Sequence, residues 1–372
     1  MAKVHVFRSQ NRVFGFTVDE QGTNLPLQYS PWTSFKTVEL YHDEPYQGVD
    51  VTACLDDISK HGFHLTAAHK RITHLAVVKE RALVLGGGGA AGNAWLIGII
   101  AGLFEAGLDV TETNLVIGTS AGSTAAAQIT SETPTQLLAN IFSAAPAHRT
   151  GTAGDGDGRA PVSPVPDHLD RTNRIIAASQ DASDMRRKLG AATLEMDGAS
   201  DNSVQKQWRA TVAARLPKQE WPQHTMLIPA VDADTGEPVV FNRYSGVDLV
   251  DAVAASCAGG FAYSIGDKRY IDGAYRADVN ADLAAGYRRV LILAPLGDRT
   301  RKRLEWGLHL TAQVEELRAR GSRVETVFPD GDSKNALGVG MNLMDLSARQ
   351  PSAQAGYNQG KAIAEELAEF WC

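Results

Sequence analysis

Apolar and polar positions change rhythm once along this chain, near Arg81. Before that point the apolar residues are sparse and roughly alternate. Val4 and Val6, then Val13, Phe14 and Phe16, flank the polar segment SQNR and predict an antiparallel hairpin. A polar stretch carrying Pro26, Pro31 and Pro45 follows. Val51 to Lys60 then predicts a short helix and HGFHL a strand. Residues 1–76 therefore read as a small α+β module to which the sequence assigns neither role nor partner.

From Arg81 the pattern becomes denser. ALVLGG is an unbroken apolar run ending in glycines, Asn93 to Ala106 a largely apolar helix, Asn114 to Ile117 a second strand, and Ser120 to Ser131 a helix of small residues. This β-α-β-α order predicts a parallel sheet covered on its faces by helices. Helices are expected over about 170–195 and 202–215. Met226 to Val231 and Pro238 to Asn242 flank the turn DADTG as a hairpin, and Leu249 to Ala255 is helical. Arg289 to Ala294 is another buried strand, Glu305 to Ala319 an amphipathic helix, Val324 to Phe328 a last strand, and 353–370 a terminal helix. Residues 77–372 thus read as one α/β domain. Within it, 146–166 is rich in Gly and Pro and reads as a long loop over the domain. Its GDGDG run lacks the remaining ligand positions of a calcium loop.

Composition narrows the function classes. The chain has 372 residues, 44% of them apolar and 21% charged, as a globular core requires, and a net charge of −7 that excludes a general nucleic-acid binder. Cys54, Cys257 and Cys372 are odd in number and far apart, which points to reduced thiols. MAKVHVFRSQNRV offers no apolar signal segment, and no apolar run is long enough to span a bilayer, so a cytoplasmic protein is expected. His61, His64, His69 and His74 raise a metal reading, but no cysteine or acidic residue stands at a ligand spacing, and a solvated surface is preferred.

The candidate chemistry begins at LVLGGGGAAGNAW, Leu83 to Trp95, which contains G-x-G-x-x-G at Gly87, Gly89 and Gly92. A dinucleotide loop needs a carboxylate at the end of the next strand, and that strand ends Ile117-Gly118-Thr119. The motif that follows is GTSAG, Gly118 to Gly122: a G-x-S-x-G placed between a strand and a helix, the context in which a sharp turn exposes a serine hydroxyl as a nucleophile. One right-handed crossover separates the two loops, so the amides of Gly87, Gly88 and Gly89, with that of Ala121, are placed to serve as an oxyanion hole beside Ser120. Two bases are open. His309, in EWGLHLTAQVEEL, would complete a conventional triad but reads as a mid-helix packing residue. Asp272, in YIDGAY, sits where a strand meets an Asp-Gly turn, and needs burial to raise it toward a useful pKa.

Taken together, GGGGAAG, GTSAG and DGA, with 31 residues from Gly89 to Ser120 and 152 from Ser120 to Asp272, resemble the patatin-like phospholipase family. VDADTGEPVVF, VAASCA and DGAYRADVNADLA also look like its bacterial members, and the resemblance covers about residues 79–372. It implies a three-layer α/β/α fold with a mostly parallel sheet. It also implies a Ser120–Asp272 dyad without histidine, acting on lipid acyl esters through an acyl-enzyme with no cofactor or metal. The implied partner is a lipid or acyl-ester substrate, met in solution or at a membrane surface. Three features depart from the family pattern: Ala91 replaces the basic residue of the glycine loop, GGFAYSI follows Ala258 where relatives carry prolines, and residues 1–76 have no counterpart. Acyl transfer on the same dyad, and a catalytically weak binding or regulatory protein, are the competing readings.

Overall fold

The computed structural model describes residues 2–9, 13–41, 49, 51–67, 79–144, 164–197, 202–338 and 343–372. The chain divides into two compact units, Met1–Val78 and Lys79–Cys372.

The first unit is a four-stranded antiparallel sheet in the order β3-β1-β2-β4, where β1 is Ala2–Ser9, β2 Val13–Thr17, β3 Trp32–Leu40 and β4 Phe63–Ala67. The expected hairpin is β1–β2, paired Val6 to Phe16. Helix α1, Val51–His61, buries Val51, Cys54 and Ile58 on one face together with Val4, Val6, Phe16 and Leu40 of the sheet. β3 lay in the polar stretch where no strand was expected. Most of its side chains face water, so pairing with β1 rather than an apolar pattern makes it a strand. His64 Nδ1 lies 2.7 Å from Asp57 Oδ2, a helix-to-strand pair that sequence spacing did not suggest; His69 and His74 lie outside the described residues.

The second unit is a three-layer α/β/α domain. Its elements run β5 (Arg81–Leu85), α2 (Gly89–Glu105), β6 (Leu115–Gly118), α3 (Ala121–Ile129), α4 (Pro134–Ser143), α5 (Pro164–Ala177), α6 (Ala182–Asp197) and α7 (Asn202–Ala213). They continue β7 (Met226–Asp232), β8 (Pro238–Phe241), α8 (Leu249–Ser256), β9 (Tyr263–Ile265), β10 (Lys268–Asp272), β11 (Arg289–Leu293), α9 (Leu310–Ala319), β12 (Arg323–Val327), α10 (Gly331–Leu337) and α11 (Arg349–Trp371). The sheet order is β12-β11-β5-β6-β7-β10-β9, with β8 paired to β7. The five strands from β12 to β7 are parallel, and β8, β9 and β10 are antiparallel additions.

Alternation along the parallel strands divides the core. Leu83, Leu85, Val116, Leu291 and Leu293 face α2, α3, α8 and α11, while Ala82, Val84, Ile117, Val290 and Ile292 face α9. Both sets are buried, which is why these strands read as continuous apolar runs. Helix α2 is buried nearly all round because α11 lies against it backbone to backbone. A Cβ added at Gly98 would stand 2.2 Å from the Ala353 carbonyl oxygen, and one at Gly360 2.4 Å from that of Ile99. The tight seam holds α2, and the glycine loop ends at that helix's N-terminus.

One element differs from expectation in a way that bears on the site. The region expected to be a single helix over Glu305 to Ala319 is a 3₁₀ turn at Leu304–Trp306 followed by α9. Gly307, at φ 63°, takes the left-handed conformation that breaks the run. His309 is consequently the N-cap of α9 and not a mid-helix residue. The loop read over 146–166 falls, up to residue 163, outside the described residues.

Candidate active site

Strand register brings the two motif loops together. β5 pairs β6 in parallel with Leu85 opposite Gly118, so the glycine loop leaves the sheet beside GTSAG. The glycines around the serine are sterically required. A Cβ at Gly122 would stand 2.0 Å from the Leu85 carbonyl oxygen, and one at Gly118 2.4 Å from that of Gly122. Within this turn Ser120 has φ 52° and ψ −121°, a region L-residues rarely occupy. The strained residue is the half-buried serine at the head of α3, which also lines the cleft.

Asp272 arrives from a different strand. β10 is antiparallel to β7, with Asp272 opposite Ala230. Because Ile117 is opposite Leu227, Ala230 and Ser120 each lie three residues further along, and Asp272 stands level with Ser120. The Ser120 hydroxyl donates to Asp272 Oδ2 at 2.7 Å. The other carboxyl oxygen accepts the Ala274 N–H at 2.8 Å, which fixes the carboxyl plane. Asp272 is only 7% exposed, and burial pushes its carboxyl up from 3.8 to about 6 against the opposing pull of the Ala274 amide, the Ser120 hydroxyl and the charge of Lys302. No histidine hydrogen-bonds to Ser120 among the described residues, and His309 makes no bond to Ser120 or Asp272.

The glycine loop faces the same place. A Cβ at Gly87 would lie 3.5 Å from that of Ser120. The N–H groups of Gly87, Gly88, Gly89 and Ala121 donate to no partner among the described residues, whereas the neighbouring Gly86 and Ala91 amides are bonded to the Leu293 and Leu343 carbonyls. Gly89 and Ala121 open α2 and α3, so two helix N-termini add their positive ends to these free amides.

Two residues that sequence reasoning did not single out tie the arrangement together. The Ser120 N–H donates to Ser256 Oγ at 3.1 Å, which removes that amide from the set facing the cleft. Asn280, fully buried and left-handed at φ 60°, donates from Nδ2 to Thr119 Oγ1, the Gly273 carbonyl and the Ala277 carbonyl at 3.0–3.1 Å. One side chain therefore joins the residue before the serine to the residue after the aspartate. Arg276 fixes it in turn by donating to its Oδ1 at 2.7 Å. Their only sequence signal was position: Ser256 lies in VAASCA and Asn280 in DGAYRADVNADLA.

A solvent-open cleft of about 390 Å³ is lined by Ser120, Ala121, Gly89 and Ala90, together with Trp208, Met344, Cys257, Arg215 and Arg349. Burial and the Asp272 charge push the Cys257 thiol up to about 11, so it remains protonated. Among the described residues no cluster of three His, Cys, Asp or Glu side chains could hold a metal ion, and no helix is long and apolar enough to cross a membrane.

The structure is similar to that of VipD from Legionella pneumophila, with a TM-score of 0.38 and 13% identity over 77% of this chain and 67% of that one. It is also similar to the type III effector protein ExoU, with a TM-score of 0.30 and 16% identity over 76% of this chain and 54% of that one. No curated protein sequence matches the chain. The patatin-like phospholipase model matches residues 83–285, more than half of the chain, from the glycine-loop strand past Asn280; the chain belongs to the patatin-like phospholipase family.

Proposed function

We propose that this protein is a lipid acyl-ester hydrolase in which Ser120 is the nucleophile and Asp272 its base. The observation that carries this reading is the 2.7 Å hydrogen bond from a strained, positive-φ serine to a buried carboxylate. Ser120 Oγ attacks the ester carbonyl while Asp272 Oδ2 takes its proton. The carbonyl oxygen becomes an oxyanion and collects the N–H groups of Gly87, Gly88, Gly89 and Ala121, which lack protein acceptors among the described residues. The tetrahedral intermediate collapses to an acyl-enzyme, and the protonated Asp272 returns its proton to the departing alkoxide. Water then enters, gives its proton to Asp272 and releases the carboxylic acid by the same sequence in reverse. A base that titrates near 6 suits this role, being ionised at neutral pH yet basic enough to accept a hydroxyl proton transiently.

Ser120→Ala should abolish turnover of short acyl esters and labelling by a fluorophosphonate. A variant that still labels, or still hydrolyses at the wild-type rate, refutes the assignment.

A further inference from the structure

Two polar side chains in the cleft beside Ser120 keep hydrogen-bonding capacity that their neighbours among the described residues do not use. The cleft is lined by Gly89, Ala90 and Asn93 from the first turns of α2, and by Ser120, Ala121 and Thr124 from the start of α3. Asn93 and Thr124 are 4% and 3% exposed, and each stands four residues, one helical turn, beyond Gly89 and Ser120. The Asn93 amide is oriented by its neighbours. Gln128 Nε2 donates to the Arg215 carbonyl at 3.0 Å, so Gln128 Oε1 is the end that accepts Asn93 Nδ2, also at 3.0 Å. The same Nδ2 reaches the Ala121 carbonyl at 3.5 Å. That leaves Asn93 Oδ1, which accepts from no donor among the described residues and is not sealed from solvent. Thr124 keeps an underused hydroxyl for a related reason. A helical threonine can turn its hydroxyl back to the carbonyl four residues earlier, but here that carbonyl, of Ser120, already accepts the Ser123 hydroxyl at 2.6 Å and the Ser123 amide at 2.8 Å. Among the described residues the Thr124 hydroxyl has one neighbour, the Cys257 sulfur at 3.8 Å, which is a weak partner.

We propose that Asn93 and Thr124 form a subsite for a hydroxyl group on the acyl chain, so that the preferred substrates are esters of hydroxy acids. The proposal deepens the hydrolase reading and rests on Ser120 as the nucleophile. The base must return its proton to the departing alkoxide, so the alcohol leaves on the Asp272 side. Asp272 does not line the cleft, and the acyl group therefore occupies it. The two polar groups stand at one level. A helical carbonyl points toward the residue four positions on, so Asn93 Nδ2 at the Ala121 carbonyl lies beside Thr124. That level is about 5 Å, the rise of one turn, beyond the reacting serine. The spacing suits a hydroxyl near the carboxyl end of the chain, as in a 3-hydroxyacyl group. Such a hydroxyl donates to Asn93 Oδ1 and accepts from Thr124 Oγ1, while Ala90, Trp208 and Met344 give hydrocarbon its contacts. A plain acyl chain in the same place strips water from both groups and returns no hydrogen bond, which costs it binding in the transition state as well as in the ground state. Selectivity then comes from polar atoms left unpaired by the wrong substrate.

The test uses the full chain and three soluble esters, ethyl butyrate and the two enantiomers of ethyl 3-hydroxybutyrate, followed by acid release. Each kcat/KM is divided by the rate constant of alkaline hydrolysis, which removes the effect of the hydroxyl on the ester itself. In the wild type one enantiomer should exceed butyrate by roughly 10-fold or more, since a fixed acceptor and a fixed donor fit one configuration. Thr124→Val, which keeps the shape and removes the hydroxyl, should lower that ratio by roughly 10-fold, and Asn93→Leu should lower it at least as far. Thr124→Ser should keep most of it. A ratio of two substrates on one protein sample does not depend on the fraction folded, so partial unfolding of a variant leaves the readout intact. Butyrate equal to or better than both enantiomers in the wild type overturns the proposal, as does a preference that survives either Thr124→Val or Asn93→Leu. Loss of the preference in Thr124→Ser as complete as in Thr124→Val traces the effect to packing and also overturns it. These results leave the hydrolase reading standing as long as butyrate is turned over. If the wild type hydrolyses none of the three esters, or Ser120→Ala retains turnover of them, the hydrolase reading fails and the subsite falls with it.

Discussion

Asp272→Asn should make the protein more stable at neutral pH while abolishing its turnover. The substitution keeps the side-chain shape. The amide oxygen can still accept the Ala274 N–H, and its NH₂ can donate to Ser120 Oγ, so few contacts are lost. What disappears is a buried negative charge. The Asp272 carboxyl is raised from 3.8 to about 6 in the folded protein, a gap equivalent to about 3 kcal/mol. The sign follows from proton linkage: below about pH 4 the carboxyl is protonated in both states and burdens neither. Between pH 4 and 6 the unfolded chain ionises first, so the native state of the wild type loses stability as pH rises, and above pH 6 the full penalty of about 3 kcal/mol applies. The asparagine has no such dependence. Urea unfolding of both proteins at several pH values, followed by tryptophan fluorescence with Trp95 and Trp371 fully buried as reporters, measures the difference directly. The stability gap should grow from near zero at pH 4 to about 3 kcal/mol at pH 8. A gap that is absent at pH 8, or that is the same at every pH, would refute the claim that Asp272 is a burial-raised base.

Three further outcomes test the site and the fold around it. The kcat/KM of ester hydrolysis should be flat above neutral pH and fall about tenfold per unit below pH 6, as the free enzyme protonates Asp272; a profile governed by a group near 7 or above points to another base. Asn280→Ala, which cuts the ties from Thr119 and Gly273, should lower kcat by roughly 100-fold with little change in KM, measured on a short neutral ester; an unchanged kcat would show that the two catalytic turns hold themselves in place. Gly122→Ala, whose Cβ would meet the Leu85 carbonyl oxygen at 2.0 Å, should cost about 3 kcal/mol or more in urea unfolding; tolerance would show that the turn has room the geometry denies.

Much of this arrangement was legible in the sequence because glycines and short apolar runs are unambiguous physical signals. The parallel strands β5, β6 and β11 are continuous apolar runs because both faces of the sheet are covered, and no other local structure suits such short runs flanked by glycine. GTSAG could be placed on a strand-to-helix turn since its neighbours were already assigned. What local pattern could not give was pairing at long range. β3 looks polar because only its partner β1 makes it a strand. The Gly98 and Gly102 face of α2 meets Gly356 and Gly360 of α11 across some 250 residues of sequence, and each pair taken alone looks like a weak helix. Asn280 and Ser256 were invisible for the same reason: a buried asparagine bonded to three backbone and side-chain acceptors has no signature until its acceptors are known. His309 was misplaced because apolar spacing ran through Gly307, where the backbone turns left-handed and the α-helix restarts only at Leu310.

The glycine loop shows why a fingerprint must be read with its surroundings. Gly87, Gly89 and Gly92 fit the spacing of a dinucleotide site, and the physical ingredients are indeed shared: a strand end, free amides and a helix N-terminus, all suited to negative charge. Which anion is held depends on what stands opposite. In a nucleotide site the amides face open space wide enough for a diphosphate, and a carboxylate on the next strand takes the ribose. Here the place where that carboxylate would be is taken by Gly118 and Thr119, and Ser120 lies so near that a Cβ on Gly87 would be 3.5 Å from its own. In the proposed reaction the space beside the amides takes one carbonyl oxygen bonded to the serine. A permanent charge held in the loop would compete with the oxyanion for the same amides. Amides left without a protein acceptor stay empty until charge develops in the transition state, and under the proposed mechanism that is the condition for accelerating the reaction rather than merely binding the substrate.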